Sequence, residues 1–315
     1  MTFSGPPPRV LLLRAGALGD ILLLRRAVGS LRAAGVGVTL MAPREPGTVL
    51  VGPGAGEVDR LLDWHSPAVT RLLAGDSCGE ALGLDGIDAA ACFTNDSDVV
   101  ALLERVIPAV IPCAPLPPRG WHAADWYASA VMPWVRLIDE APPCEATRAE
   151  QDQAAEWRRQ LGDGYVAIHP GSGSPGKNWP AEAFAHLVRA VTPNRPWLLI
   201  LGPAEEGSGE RLRRLPGAVV AESLSARVVG CLLSHAAVYV GNDSGMSHLA
   251  AAWGAPSVVL FGPSDPQQWA PRGADVVVLR SSTRAMGDLS VETVVDEVRK
   301  RRGAATSLSC GLPCG

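Results

Sequence analysis

One local pattern recurs along this chain: a short, unbroken apolar run, a loop bearing glycine or proline, and then apolar positions at helical spacing. The clearest runs cover 10–13, 36–41, 165–169, 197–201, 237–241, 257–261 and 276–279. They are continuous rather than alternating, as expected of strands buried on both faces, and helices covering both faces are what parallel sheets require. The pattern therefore predicts an α/β chain of doubly wound type. Shorter strands are expected at 58–62, 89–93 and 219–221. Helices are expected over 17–32, 69–73, 99–106, 181–191 and 291–302, in the polar segment that follows Pro142-Pro143 and runs through Trp157 and Arg159, and over 121–138 with a bend at Pro133. The segment 107–112 is too interrupted by prolines to read as a long element.

A chain of 315 residues exceeds the comfortable size of one compact domain. The expected division is 1–145 and 146–290, followed by a helix at 291–302 that crosses back toward the first domain and a weakly ordered tail at 303–315. Hydrophobic residues make up 47% and charged residues 19%, so packed layers are affordable and global disorder is excluded. The net charge of −4 and the lack of a long basic run speak against a nucleic-acid partner. No stretch reads as a membrane span or a secretory signal, which gives a cytoplasmic expectation. Seven cysteines are scattered and odd in number, so they suggest no complete disulfide framework; Cys310 and Cys314 alone specify neither a metal site nor a redox pair.

Candidate chemistry concentrates in loops that leave strands. In Arg14-Ala15-Gly16-Ala17-Leu18-Gly19-Asp20 the glycines permit a tight turn. Asp20 opens the next helix, where it can cap, take part in chemistry, or do both if its two oxygens reach different partners. The spacing is not the Gly-x-Gly-x-x-Gly dinucleotide fingerprint. The segment HPGSGSPGKNWP, 169–180, places Ser172, glycine amides and Lys177 in one loop, which suits either a diphosphate or a plain structural turn. Glu205 and Glu206 follow another strand and can accept from ribose hydroxyls or simply face solvent. In GNDSGMSH, 241–248, Asp243 can cap the following helix or bind ligand. The amides of Ser244 and Gly245 can face phosphate, and His248 lies one turn on from Ser244. No Gly-x-Ser-x-Gly elbow or metal-ligand set accompanies them.

In these motifs, RAGALGD, HPGSGSPGKNWP and GNDSGMSHLAAAWGAPSVVLFGPSDP, the chain resembles the heptosyltransferase family, whose best-known members move heptose from ADP-heptose to the inner core of lipopolysaccharide. The resemblance spans 9–298. It implies a GT-B-like fold of two facing doubly wound Rossmann-like domains, the first on the acceptor side and the second binding nucleotide sugar. It also implies inverting transfer without an obligatory metal or added cofactor, the nucleotide-sugar donor being ADP-heptose. Asp20 resembles the family's catalytic base and Lys177 its donor-phosphate lysine. Asp243, Ser244, Gly245 and His248 match the donor loop and helix, Ser172 joins the phosphate loop, and Glu205 or Glu206 matches the acidic residue near ribose. Arg14 is expected to contact acceptor or phosphate. The expected partner is a glycan or glycolipid acceptor. That expectation adds peripheral association with the inner face of the cytoplasmic membrane to a monomeric enzyme. Another nucleotide sugar, a nucleotide-sugar epimerase and a noncatalytic nucleotide-sugar binder are the alternatives.

Overall fold

The apolar runs become strands, and every strand pairing among the described residues is parallel. The computed structural model describes residues 5–73, 83–202 and 208–309. Its contacts divide the chain into two units, Met1–Glu145 and Ala146–Gly315.

The first unit holds β1 (Arg9–Arg14), β2 (Gly37–Ala42), β3 (Arg60–Asp63), β4 (Ala89–Phe93) and β5 (Ala109–Cys113), in the order β3-β2-β1-β4-β5. Its helices are α1 (Leu18–Leu22), α2 (Arg25–Ala33), α3 (Arg44–Gly47), α4 (Pro67–Leu73), α5 (Ser97–Glu104) and α6 (Ala123–Ser129). Val10 to Leu13 are fully buried, as a central strand covered on both faces must be. β5 runs through Pro112, the residue type that made the segment unreadable as a strand. Pro112 is tolerated because β5 is the edge of the sheet, where a strand has one side without ladder partners.

Two expected helices come out shorter. The segment 17–32 is broken into α1 and α2 by a tight turn in which Leu24 N donates to Ile21 O, an i→i−3 bond. The segment 121–138 is helical only in α6, started by His122 Nδ1 accepting from Ala124 N. Beyond Ser129, i→i−3 bonds from Val131 and Met132 carry the chain as turns toward Pro133, whose ring disfavours helical geometry in the residue before it.

The second unit holds β6 (Val166–His169), β7 (Trp197–Leu201), β8 (Ala218–Glu222), β9 (Val238–Asn242), β10 (Ser257–Phe261) and β11 (Val276–Arg280), ordered β11-β10-β9-β6-β7-β8. Its helices are α7 (Arg148–Leu161), α8 (Ala181–Val191), α9 (Ser208–Arg213), α10 (Ala226–Leu233), α11 (Gly245–Ala252), α12 (Pro266–Trp269) and α13 (Val291–Ser309). α13 contains the segment expected to cross back. Its Val294, Val295 and Val298 are buried in the second unit's own core, with Phe184, Leu187, Val240 and Leu260. No helix among the described residues is long and apolar enough to cross a membrane.

Strand order fixes where ligands can bind. In each sheet the chain starts at an interior strand, builds outward on one side, then returns to build on the other. The loops at that reversal part above the carboxyl ends of two neighbouring strands and leave a crevice. In the first unit the reversal lies between β1 and β4, and in the second between β6 and β9. The strand-leaving loops singled out above, Arg14–Asp20, 169–180 and 241–248, all start there.

Candidate functional site

In the first unit the site is built on the end of β1. Arg14 closes that strand in register with Phe93 at the end of β4, and Asp20 sits in the first turn of α1. The Asp20 side chain folds back over the loop. Its Oδ2 accepts from Ala17 N at 3.0 Å and its Oδ1 accepts from Arg14 Nη2 at 2.7 Å. One oxygen therefore caps the helix while the other takes the ion pair, and each keeps lone-pair capacity for a further proton. Gly16 is required by this arrangement: a Cβ there would lie 2.6 Å from Asp20 Cβ and 2.8 Å from its Oδ2. The Asp20 side chain is 26% exposed, against 7% for Arg14, so the carboxylate reaches solvent and the guanidinium does not. Arg14, expected to meet acceptor or phosphate, turns Nη2 to Asp20 and to the Tyr127 hydroxyl, 3.2 Å away. Burial pushes the Tyr127 phenol up, against the lowering pull of Arg14, so it stays protonated.

In the second unit the loop after β6 and the loop after β9 are tied together by Asn242. This residue is fully buried. Its Nδ2 donates to Pro170 O at 2.7 Å and its Oδ1 accepts from Trp179 N at 3.0 Å, so one side chain clamps both ends of the 169–180 loop. Within that loop the Ser172 hydroxyl lies 2.6 Å from Asn178 Oδ1 and 2.8 Å from Ser174 O, which turns it inward to hold the loop's shape. Lys177 reaches across to Asp243, Nζ to Oδ2, at 2.7 Å. Asp243 is buried and Lys177 about one-third exposed, so the aspartate fixes the ammonium while part of the lysine remains in water.

The capping role weighed for Asp243 falls elsewhere. The N-cap of α11 is Ser244, which makes no side-chain capping bond, and its Oγ is buried without a hydrogen-bond partner among the described residues. The positive end of α11 is thus uncapped beside Lys177's partner. Close approach explains Gly241 as well. The Tyr239 ring, two residues back on the same face, reaches forward to bring its hydroxyl 3.1 Å from Ser247 Oγ, and a Cβ on residue 241 would run into that hydroxyl. His248 and His169 are both buried in this region.

Glu205, Glu206, Cys310 and Cys314 lie outside the described residues. Burial pushes the Cys92 thiol up to about 12 and that of Cys113 to about 11, which leaves both protonated and poor nucleophiles. A cavity of about 200 Å³ lined by Tyr165, Thr192, Arg195 and Arg302 opens at the amino ends of β6 and β7, the other end of the sheet from the site loops. No group of three or more His, Cys, Asp or Glu that could hold a metal occurs among the described residues. Sequence reading missed Asn242 and Tyr127. The first stood inside a quoted motif without a role, and the second carried no motif at all.

Residues 133–298 match the family described as Glycosyltransferase family 9 (heptosyltransferase), over more than half of the chain. The chain belongs to this family. Among its relatives is lipopolysaccharide heptosyltransferase 3 of Escherichia coli, 26% identical over 215 residues. That match spans 58% of this chain and 61% of the relative, so the chain aligns with about three fifths of that protein's length. A solved family 9 glycosyltransferase from Veillonella parvula superposes with a TM-score of 0.82 at 19% identity, covering 96% of this chain and 99% of that one. The E. coli heptosyltransferase WaaC with ADP superposes at 0.71 and 19%, covering 93% and 99%. These structures establish the GT-B-like fold, two doubly wound parallel-sheet domains.

Proposed function

We propose that this glycosyltransferase moves heptose from ADP-heptose to a hydroxyl of a lipopolysaccharide-core or related glycan acceptor, with inversion and without a required metal ion. The observation that carries the reading is the convergence of Lys177, Asp243 and the uncapped start of α11 above the β6/β9 reversal. A partly exposed lysine beside free helix-terminal amides is a site for a polyanion, and a nucleoside diphosphate is the polyanion this family releases.

Asp20 serves as the general base. It takes the proton of the acceptor hydroxyl as that oxygen bonds to the anomeric carbon from the face opposite the diphosphate. The anomeric carbon–oxygen bond to phosphate breaks, ADP leaves with the electron pair, and Asp20 holds the proton. Lys177 and the α11 amides stabilise the negative charge that grows on the departing diphosphate. Charge supplied in this way makes a divalent cation unnecessary. Ser172 and Asn242 keep the loop in shape, and His248, with Glu205 or Glu206, completes the donor contacts. Family membership favours transfer over epimerisation of the nucleotide sugar.

The test incubates purified protein with ADP-heptose and a panel of lipopolysaccharide-core acceptors in EDTA, with mass spectrometry to detect the joined product. Asp20→Asn is run beside it. Product from wild type, falling about 10²- to 10⁴-fold in the variant with ADP binding retained, is the expected outcome. ADP-heptose bound but never joined to any acceptor would overturn this donor–acceptor pairing.

A further inference from the structure

An arginine at the carboxyl end of a central strand, with its side chain only 7% exposed, is costly to bury unless its hydrogens are matched. Nothing in the packing of β1 calls for a guanidinium, since the four residues before it are fully buried aliphatics. Both hydrogens of Arg14 Nη2 are accounted for: one meets Asp20 Oδ1 at 2.7 Å, the other the Tyr127 hydroxyl oxygen at 3.2 Å. Tyr127 does not need that contact for its own burial, because its hydroxyl donates to Pro115 O at 2.9 Å. The ring is held in turn by Phe93, edge to face at 5.0 Å between centroids, and the Arg14 guanidinium carbon stands 5.4 Å from the Tyr127 centroid. Because Phe93 is the register partner of Arg14, this whole assembly fills the β1/β4 reversal beneath Asp20.

We infer that Tyr127 is a positioning residue for the transfer reaction: it aims Arg14 at Asp20 and so fixes the plane in which the carboxylate meets the acceptor hydroxyl. The inference rests on Asp20 being the base. A guanidinium that lost the hydroxyl could rotate about its terminal bonds, and the carboxylate it holds would turn with it. Small rotations of a base weaken transfer while leaving donor binding in the other unit untouched. Arg14 on this reading acts through Asp20 and not on the ligand directly.

Tyr127→Phe keeps the ring and its Phe93 contact and removes only the hydroxyl. The expected result is a fall in kcat of about fivefold to tenfold, with the KM for ADP-heptose unchanged. In an Arg14→Gln background the same substitution should do nothing further, because its route to Asp20 is already cut. An equal fall in both backgrounds would mean that Tyr127 acts independently of Arg14, and the inference would fail. A second readout needs no turnover. In protein labelled with ¹⁵N-arginine, the side-chain signals absent from Arg14→Gln belong to Arg14, and those of its Nη2 hydrogens should show hindered rotation in wild type and averaged, freely rotating behaviour in Tyr127→Phe. Identical Arg14 signals in the two proteins overturn the inference whether or not the protein transfers sugar. Altered signals in a protein whose transfer is undiminished by Asp20→Asn would uphold the Tyr127–Arg14 coupling and refute the role given to Asp20. Thermal melts of each variant confirm that folded proteins are being compared.

Discussion

The ion pair between Lys177 and Asp243 is the most exposed to test of the single-residue assignments, because the two partners differ in burial. Asp243 lies deep while Lys177 is about one-third exposed, so the pair is arranged to present the lysine. Removing the ammonium takes away a charge-assisted contact that adds about 1.5–3 kcal/mol to the binding of an anion, or roughly tenfold to a hundredfold in affinity. Lys177→Ala should therefore weaken ADP by about that factor, AMP by less, and adenosine hardly at all; calorimetric titration of the three ligands checks this. A uniform loss across them would place Lys177 in the fold and not on the diphosphate. The residues legible in the sequence were those whose chemistry is local. The capping role of Asp20 could be recognised because its partner, Ala17, is three residues away, whereas the base role proposed for it came from the family resemblance. Tyr127 meets Arg14 across 113 residues and Asn242 meets Pro170 across 72, and no spacing rule reaches that far.

At the scale of elements, α7 shows how a helix start can tie a unit together. Thr147 Oγ1 accepts from Glu150 N while Glu150 Oε2 accepts from Thr147 N, a reciprocal cap. The same carboxylate takes Arg227 Nε of α10 at 2.6 Å, and Arg227 lies against the Trp253 ring at 5.4 Å. Burial would raise the Glu150 carboxyl, but the hydrogen bonds from Arg227 and Thr147 outweigh it and hold the group below its ordinary value of 4.5. A carboxylate lowered on folding adds stability above its unfolded value, and that stability fades as pH falls through the folded one. Glu150→Gln should therefore cost about 1–3 kcal/mol near neutrality, and its melting deficit against wild type should shrink as pH falls below the ordinary carboxyl value and through the lowered folded one. A deficit constant with pH would show that shape, and not charge, links α7 to α10. Strands and helices with unbroken patterns, such as β4, α8, β7 and β10, were legible with their limits. β5 was not, because a proline is forbidden in a central strand yet acceptable at an edge, and edge position belongs to the sheet.

For the molecule as a whole, the parallel α/β class followed from the continuous apolar runs, since strands buried on both faces belong to parallel sheets covered by helices. Strand order did not follow: β9 lies next to β6 after a path through β7 and β8, and only that return places 241–248 beside 169–180. Every residue proposed for the donor side that has a described position, Ser172, Lys177, Asp243, Ser244, Gly245 and His248, belongs to the second unit, which has its own six-stranded sheet and its own core. The donor site should therefore survive separation from the first unit. A fragment of residues 146–309 is expected to fold, to bind ADP within about threefold of the full chain, a difference of under 1 kcal/mol, and to transfer no sugar because Asp20 is absent. Calorimetry on a fragment whose circular dichroism and melt show a cooperative α/β fold gives the comparison. A folded fragment that does not bind ADP would mean that the nucleotide draws on residues before 146, and Lys177 and the start of α11 would then be only part of its site.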